Sequence, residues 1–176
     1  GAMIGDNVTY AKSCAGFIFA QISAAATING LSDDRAHRLK KGYYYSLDDA
    51  KSVPKVLTLI NSFILDFTEA VFQTKKISRY SLLVQEICAY IYLNIGEKLT
   101  VQRIADHFHF SESHVSHKFK KETGLSIMEY LTDMRISEAK IMLHQNISIV
   151  EISNILGFTS QSHFSRIFRK KTGMTP

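Results

Sequence analysis

The sequence SHVSHKFKKETG at residues 113–124 returns as SHFSRIFRKKTG at residues 162–173. Seven of the twelve aligned positions are identical, at an offset of 49 residues. The upstream apolar positions also match, pairing Ile104, Phe108 and Phe110 with Ile152, Leu156 and Phe158. The offset there is 48, so the second copy has one extra residue in its turn. This duplication predicts two copies of one small helical unit.

Capping and stop signals divide the first copy into two short helices. Thr100 is expected to cap a helix that ends at about His107, and Ser111 or Glu112 begins the helix that ends at Gly124. A short helix, a turn and a second short helix form a helix-turn-helix unit.

Two capping boxes, Ser126–Glu129 and Ser148–Glu151, organise the segment that follows. The first is expected to begin a long helix through about His144, and the second a short helix that stops at Gly157. The last helix is predicted from about Gln161 to Lys171. The sequence therefore predicts two helix-turn-helix units joined by one long linker helix.

The preceding residues also have helical periodicity. Helices are predicted from about Ile4 to Ile28, from Ser32 to about Ala50, from Ser52 onward, and from Ser78 or Ser81 to Gly96. We expect an all-α protein with a helical module at 1–78 and a domain that contains both helix-turn-helix units at 79–176. Residues 1–3 read as a remnant of tag cleavage.

Positive charge is concentrated locally rather than spread over the chain. The net charge is +5, and residues 79–176 carry twelve Lys and Arg against nine Asp and Glu. Residues 159–173, however, contain four basic side chains and no acidic one. Concentrated positive charge on one helix is the pattern expected for contact with the phosphates of nucleic acid.

The two basic helices each have an apolar and a polar face. Val115 and Phe119, like Phe164 and Phe168, are four residues apart and should face a core. The polar side chains fall on the opposite face: Ser113, Ser116, His117 and Lys120 in the first copy, and Ser162, Ser165, Arg166 and Arg169 in the second, flanked by Lys121 and Lys170. Arginine can donate two hydrogen bonds to guanine, serine can bond base edges or phosphate, and lysine mainly neutralises phosphate.

The linker has a length that suits DNA. Residues 126–145 would span roughly 30 Å as a helix at ~1.5 Å per residue. Major grooves on one side of B-DNA recur every ~34 Å. A single chain could therefore place its two basic helices in adjacent major grooves.

These motifs make the chain from about Leu83 to Pro176 resemble the DNA-binding domain of the AraC family of bacterial transcription regulators. The resemblance is carried by LTVQRIADHFHFSESHVSHKFKKETGLSIMEYL, by RISEAKIMLHQ and by ISIVEISNILGFTSQSHFSRIFRKKTGMTP. It implies a seven-helix domain that reads double-stranded promoter DNA, commonly as an activator working with RNA polymerase. It places the base-reading side chains at Ser113, Ser116, His117, Gln161, Ser162, Ser165 and Arg166.

The chain departs from the family pattern at two places. His117 stands where the first recognition helix often has arginine, so the first unit is expected to read bases less stringently. The last family helix follows the Gly-Met-Thr-Pro segment, and we expect it to be truncated here because the sequence stops at Pro176.

Other functions are less well supported by the sequence. His107, His109, His114 and His117 would form a metal site only if their imidazoles converged, and we predict neither metal nor cofactor. Alkyl-DNA repair enzymes with this domain use four zinc-bound cysteines, whereas this chain has two, Cys14 and Cys88, both predicted to be buried. We therefore predict no enzymatic activity.

The N-terminal module leaves a rival interpretation open. Residues 4–78, through ISAAATINGL and the tyrosine-rich segment after it, resemble the helical region that precedes the DNA-binding domain in some regulators of Gram-positive bacteria. This resemblance implies a dimerisation or signal-relay module at 1–78, which could form a homodimer. Alternatively, the protein could be a helical interaction module with only weak or non-specific DNA binding. No apolar run approaches the ~18 residues that span a bilayer, so we expect a cytoplasmic protein with no membrane partner.

Overall fold

The computed structural model describes the backbone of residues 2–176 and the side chains of residues 7–176. This part of the chain forms nine α-helices and no β-strand, which confirms the predicted all-α class. The helices are α1 (Ala2–Ile28), α2 (Asp33–Asp48), α3 (Val53–Ile77), α4 (Leu82–Leu93), α5 (Val101–His107), α6 (Glu112–Thr123), α7 (Ile127–His144), α8 (Ile149–Ile155) and α9 (Gln161–Thr172).

The helices belong to two compact units. The N-terminal unit consists of the residues up to Lys76 together with the short segment His144–Asn146. The C-terminal unit consists of Ile77–Leu143 and Ile147–Pro176. Each unit has its own buried residues, and the two are described separately below.

Aromatic side chains form the centre of the N-terminal unit. Phe63 stacks on Phe19 at 4.0 Å and on Phe67 at 4.3 Å between ring centroids, and Tyr43 meets its edge at 5.0 Å. The Tyr43 hydroxyl donates a 2.6 Å hydrogen bond to Asp66 Oδ2. Burial, and then the adjacent Asp66 carboxylate, raise the pKa of Tyr43, so the hydroxyl remains a donor. These rings hold α1, α2 and α3 together.

One face of α1 is buried. Among the side chains described for this helix, the buried ones are Ala15, Phe19, Ser23 and Ala26. The prediction that both cysteines are buried is wrong for Cys14, which is exposed, and correct for Cys88. Apolar residues occur all around α1, so their spacing did not single out one face.

Two helices of the N-terminal unit are long and apolar enough to cross a membrane by length and composition. They are Asn7–Ile28 and Val53–Ile77, so the expectation that no segment reaches this length is wrong. Both helices nevertheless contribute rings to the aromatic core of the unit. Helices of a protein core meet the same criterion, so it is weak evidence of a membrane span.

The C-terminal unit contains two separate apolar clusters. The first is built from α4, α5, α6 and the start of α7, around Ile87, Ile104 and Phe119. The second is built from the rest of α7, α8 and α9, around Ile152 and Phe164. Helix α7 therefore contributes side chains to both clusters, as expected of the linker between two helix-turn-helix units.

The predicted caps fix the helix boundaries of this unit. Thr100 accepts a hydrogen bond from the Arg103 N–H, and helix α5 follows it. Ser126 and Glu129 form the reciprocal capping box, in which the Ser126 N–H donates to Glu129 Oε2 at 2.9 Å and the Glu129 N–H donates to Ser126 Oγ at 3.3 Å. The Ser126 hydroxyl and N–H lower the pKa of Glu129, which keeps this cap ionised.

Candidate nucleic-acid interface

Helix α6 is held at both ends by its own sequence. Ser111 caps its start by accepting from the His114 N–H at 3.3 Å. At the other end Gly124 adopts a left-handed conformation, with φ +81°. The Thr123 hydroxyl donates to the Phe119 carbonyl at 2.8 Å and accepts from the Leu125 N–H at 3.1 Å, so the chain leaves the helix in a defined direction.

Helix α9 repeats each of these devices 49 residues later. Ser160 accepts from the His163 N–H at 3.1 Å, and Gly173 ends the helix with φ +77°. The Thr172 hydroxyl donates to the Phe168 carbonyl at 2.8 Å and accepts from the Met174 N–H at 3.1 Å. The duplication thus extends from the sequence to the hydrogen bonds that position the two helices.

The inner faces of the two helices are buried at equivalent positions. Val115 and Phe119 on α6, and Phe164 and Phe168 on α9, each expose 4% or less of their surface. Because these side chains lie one helical turn apart, they fix which side of each helix faces away from the core.

The polar side chains singled out in the sequence lie on the outer side of the two helices. Nine of the eleven are exposed: Ser113, His117, Lys120, Lys121, Gln161, Ser162, Arg166, Arg169 and Lys170. The other two, Ser116 and Ser165, are half-buried at equivalent positions of the repeat. The exposed group offers guanidinium, ammonium, imidazole, amide and hydroxyl donors to a ligand.

Two further lysines on these helices are engaged by acidic side chains. Lys118 pairs with Glu122 at 3.2 Å, and Lys171 pairs with Asp133 of α7 at 2.5 Å. Glu122 also accepts from the N–H and the hydroxyl of Ser81 at 2.7 and 2.9 Å. The Ser81 N–H, and then its hydroxyl and Lys118, hold the pKa of Glu122 below its ordinary value. Lys118 is thus paired within α6, and Lys171 links α9 to α7.

The turns before α6 and α9 differ in one residue of length. In both turns a backbone N–H donates to the carbonyl five residues before it. Phe110 N–H donates to Ala105 O at 3.0 Å, and Phe158 N–H donates to Ser153 O at 2.9 Å. The second turn then includes the extra residue Thr159, whose hydroxyl lies 3.0 Å from Nδ1 of His163. The extra residue thus lies between this hydrogen bond and the N-cap Ser160, and the cap of α9 remains intact.

The histidines near the first turn have separate packing partners. His107 stacks on Tyr90 at 4.1 Å between centroids, and His114 stacks on Phe110 at 4.9 Å. Across the side chains described for residues 7–176, no group of three His, Cys, Asp or Glu residues could hold a metal ion. The imidazoles of His107 and His114 therefore pack against two different aromatic rings.

One residue of this unit was missed by the sequence reasoning. The guanidinium of Arg135 on α7 donates to backbone carbonyls of segments that precede and follow the linker helix in the sequence. These carbonyls belong to Ile95, Glu97 and Gly157. Its partners are backbone carbonyls 22 to 40 residues away, and any residue type supplies a carbonyl. The sequence therefore contains no signal for this contact beyond a lone arginine in the linker helix.

Comparison with known proteins gives one family model and several similar proteins. A family model described as a helix-turn-helix domain matches residues 104–176. The HTH-type transcriptional regulator YobQ of Bacillus subtilis is 42% identical over 89 residues, which are 50% of this chain and 37% of that protein. The arabinose operon regulatory protein of Escherichia coli is 35% identical over 95 residues, 53% of this chain and 32% of that protein.

Two further matches concern function and fold. The bifunctional transcriptional activator and DNA repair enzyme AdaA of Bacillus subtilis is 39% identical over 94 residues, 53% of this chain and 44% of that protein. The C-terminal domain of AraT, a response regulator from Geobacillus stearothermophilus, aligns with a TM-score of 0.53 and 30% identity, covering 56% of this chain and 83% of that one. The chain spans less than half the length of each of these curated relatives.

Proposed function

Because this chain belongs to the AraC family of helix-turn-helix transcription regulators, we propose that it recognises a specific promoter sequence and activates transcription there. The observation that supports this most directly is the duplicated recognition helix. Helices α6 and α9 have the same caps and the same buried faces, and both direct polar and cationic side chains outward. Two such helices provide two independent readings of base sequence.

In the proposed complex, α6 and α9 enter adjacent major grooves on one side of the DNA. Helix α7 has 18 residues, which span about 27 Å at ~1.5 Å per residue. With the turns at its ends, this is compatible with the ~34 Å between successive major grooves on one side of the duplex. Arg166 and Arg169 of α9 would read guanine, while Lys120, Lys121 and Lys170 would contact phosphates.

Selection of bound sequences from random duplex DNA tests the proposal. We expect a site with two short conserved blocks about one helical turn apart, bound much more tightly than random DNA. Affinity for the selected site should fall steeply with salt concentration, because phosphate contacts release counterions. Recovery of no preferred sequence, with equal affinity for all duplexes, would favour the rival interpretation of a helical interaction module with non-specific DNA binding.

The proposal carries consequences for partners and location. An activator bound at a bacterial promoter acts on RNA polymerase, and we propose this enzyme as its partner in the cytoplasm. We propose no catalytic role, although the relative AdaA is named as a repair enzyme as well as an activator. Cys88 is buried, and burial raises the pKa of its thiol, which makes it a poor nucleophile.

A homodimer formed through the N-terminal unit is the second part of the proposal. Exposed residues on α1 follow the alternating four-and-three spacing of helices that pair: Tyr10, Cys14, Phe17, Gln21, Ala24 and Ile28. None of these six side chains is charged, so two copies of the stripe could meet without electrostatic repulsion. Tyr10, Phe17 and Ile28 expose 73%, 67% and 85% of their surface.

Helix α3 adds to the exposed apolar surface of the same unit. Leu57, Ile64, Leu65 and Phe72 are 40% to 68% exposed. Exposed apolar side chains in such number are typical of surfaces that bind another protein. We propose a second copy of the chain as the occupant.

Sedimentation equilibrium with a matched pair of variants tests the dimer. Phe17→Glu places a charge in the stripe and should give a monomer, whereas Ala20→Glu places it at an exposed position beside the stripe and should leave the dimer. If the unsubstituted chain is monomeric at micromolar concentration, the dimer proposal is wrong. Binding of that monomer to lipid vesicles would instead assign the exposed surface to a membrane.

A further inference from the structure

The two helix-turn-helix units meet at a small joint within the C-terminal unit. The joint consists of Ile95 and Gly96, in the loop between α4 and α5, of Arg135 on α7, and of Gly157 and Phe158 in the turn between α8 and α9. It lies where the two apolar clusters of the C-terminal unit adjoin. Ile95 packs against both clusters.

Arg135 connects the two sides of this joint through one guanidinium group. Nε donates to the Ile95 carbonyl at 2.9 Å and Nη2 to the Glu97 carbonyl at 2.8 Å, both in the loop of the first unit. Nη1 donates to the Gly157 carbonyl at 3.1 Å, in the turn of the second unit. The same guanidinium lies 5.7 Å from the centre of the Phe158 ring.

The planar fork of arginine suits this arrangement. Its donors have fixed directions, so three hydrogen bonds to two segments also fix the distance between those segments. A lysine ammonium is a point charge on a flexible stem and could not hold both segments in one geometry.

The glycines of the joint allow the two backbones to touch. A Cβ atom on Gly96 would overlap the carbonyl oxygen of Ile155, and one on Gly157 would overlap the carbonyl oxygen of Gly96. A Cβ on Gly157 would also lie 2.9 Å from Nη2 of Arg135. The α4–α5 loop and the α8–α9 turn are thus in direct contact, and no side chain fits between them.

Arg135 lies on α7 at the boundary between the two apolar clusters. Leu131, one turn before it, belongs to the first apolar cluster, and Ile136 and Ala139, just after it, belong to the second. The linker helix is one connection between the two units across this boundary. Arg135 and the contact at the two glycines provide a second connection beside the helix, which restricts bending and twisting between the units.

We infer that Arg135, Gly96 and Gly157 determine which spacing of half-sites the protein accepts on DNA. This inference rests on the proposed function, because it presumes that α6 and α9 read two half-sites. When one of the two helices is bound, a fixed joint holds the other helix close to its half-site. The joint therefore raises the effective concentration of the second helix at that half-site. It also reduces the conformational entropy lost when both helices bind, provided that the half-sites match the fixed distance.

Arg135 is a positioning residue in this account, since it acts through the placement of α6 and α9. A residue that only stabilised the fold would change the binding of every DNA in the same proportion. A positioning residue should change the binding of two half-sites while leaving one half-site unaffected. The ratio of the two affinities therefore separates these roles.

The experiment uses the full chain and three kinds of duplex. They are the selected site with both half-sites, the same site with one half-site scrambled, and a series in which one or two base pairs are added or removed between the half-sites. Dissociation constants are measured by fluorescence anisotropy for the unsubstituted chain, Arg135→Ala, Arg135→Lys and Lys140→Ala. Lys140 is an exposed residue of the same helix and serves as the matched control.

We expect Arg135→Ala to bind the single half-site within about twofold of the unsubstituted chain and to lose roughly tenfold or more on the complete site. Its affinity should vary less across the spacing series, because the helices are no longer held at one distance. Arg135→Lys should resemble Arg135→Ala, and Lys140→Ala should retain the original spacing preference. Thermal unfolding by circular dichroism checks each variant, and Arg135→Lys carries the comparison if Arg135→Ala unfolds.

Two results would overturn the inference. One is an equal loss on the complete site and on the single half-site. The other is a spacing preference that survives both substitutions of Arg135. Failure of the proposed function gives a different result, since the unsubstituted chain would then show no sequence preference on any of these duplexes.

Discussion

The first and second helix-turn-helix units have nearly the same scaffold and different surface chemistry. The hydrogen bonds that start and end α6 recur in α9 with distances that agree within 0.2 Å. On the outer faces, however, His117 of the first unit corresponds to Arg166 of the second. Helix α6 also carries two acidic side chains, whereas residues 159–173 carry none. The comparison indicates that folding constrains the scaffold and leaves the outer faces free to differ, which under the proposed function lets the two units read different base sequences.

The two turns show a second difference, which arises from their surroundings. His109 and Gly157 are equivalent, with φ values of +59° and +65°. His109 is exposed, and its side chain extends away from the fold. Gly157 lies against Gly96 and Arg135, so it must be glycine for steric reasons as well as for its backbone conformation. The two turns therefore share a backbone conformation at this position but differ in their steric surroundings.

The shared scaffold predicts the largest effect, on stability. Phe119 and Phe168 are equivalent in the repeat and are 0% and 4% exposed. We expect Phe119→Ala and Phe168→Ala each to lower the free energy of unfolding by about 3–5 kcal/mol. Urea denaturation followed by circular dichroism measures this. A difference of several kcal/mol between the two variants would show that the scaffolds are not equivalent in energy.

We expect substitutions at the equivalent positions of the two turns to change the free energy of unfolding unequally. Gly157→Ala should lower the free energy of unfolding by about 2–3 kcal/mol, because it adds both a strained left-handed residue and a steric overlap with Gly96. His109→Gly should change it by about 1 kcal/mol or less, since glycine adopts this conformation freely. The same denaturation experiment compares them. Equal effects would contradict the steric account of Gly157.

The outer faces predict an unequal effect on DNA binding. Arg166→Ala should weaken binding to the selected site by about 1–3 kcal/mol and relax preference at one base pair. His117→Ala should cost less, because an imidazole offers fewer donors than a guanidinium. Lys121→Ala is the control, and it should weaken binding to all sequences alike and reduce the salt dependence. Equal losses for Arg166→Ala on selected and random DNA would assign this guanidinium to phosphate contact.

The smallest effect is expected at Glu122, a pH dependence with no counterpart at the equivalent position of the second unit, which is Lys171. Its pKa is lowered in the folded state by the Ser81 N–H, by the Ser81 hydroxyl and by Lys118. A depressed carboxyl pKa stabilises the fold above the unfolded value of 4.5, and this stabilisation is lost as pH falls through the lower folded value. Glu122→Gln should therefore reduce stability at pH 7 and flatten its decline in acid.

The control for this prediction is Glu112→Gln, at an exposed position of the same helix. Melting temperatures from pH 7 to pH 3 compare the two variants with the unsubstituted chain. Unchanged acid sensitivity in Glu122→Gln would show that the Ser81 contact contributes nothing to the pH response.

Much of the C-terminal unit was predictable because its signals are local. Serine and threonine caps and glycine stops fix helix boundaries through hydrogen bonds between residues at most four apart, as at Ser111 and Gly124. The repeat added an internal check, since an outward position in one copy predicts an outward position in the other. Ser116 and Ser165 are both half-buried, so even their departure from full exposure is shared.

The N-terminal unit was less predictable because its helices lack a single apolar face. In α1, apolar residues surround the helix, and packing of Phe19 against Phe63 decides which of them are buried. Phe17 and Ile28 have the same apolar character as the buried residues, yet they are exposed. Composition alone could not separate the two groups, because burial depends on the position of the neighbouring helices.

By itself the sequence determined the helical class, the two helix-turn-helix units and the outward faces of α6 and α9, because short-range periodicity and capping govern all of these. The tertiary structure alone decided the joint at Arg135, the steric need for Gly157 and the exposed stripe of α1. Each of these depends on contacts between segments far apart in the chain. The partners at the joint are backbone carbonyls, which every residue possesses, and so the sequence carries no mark of them.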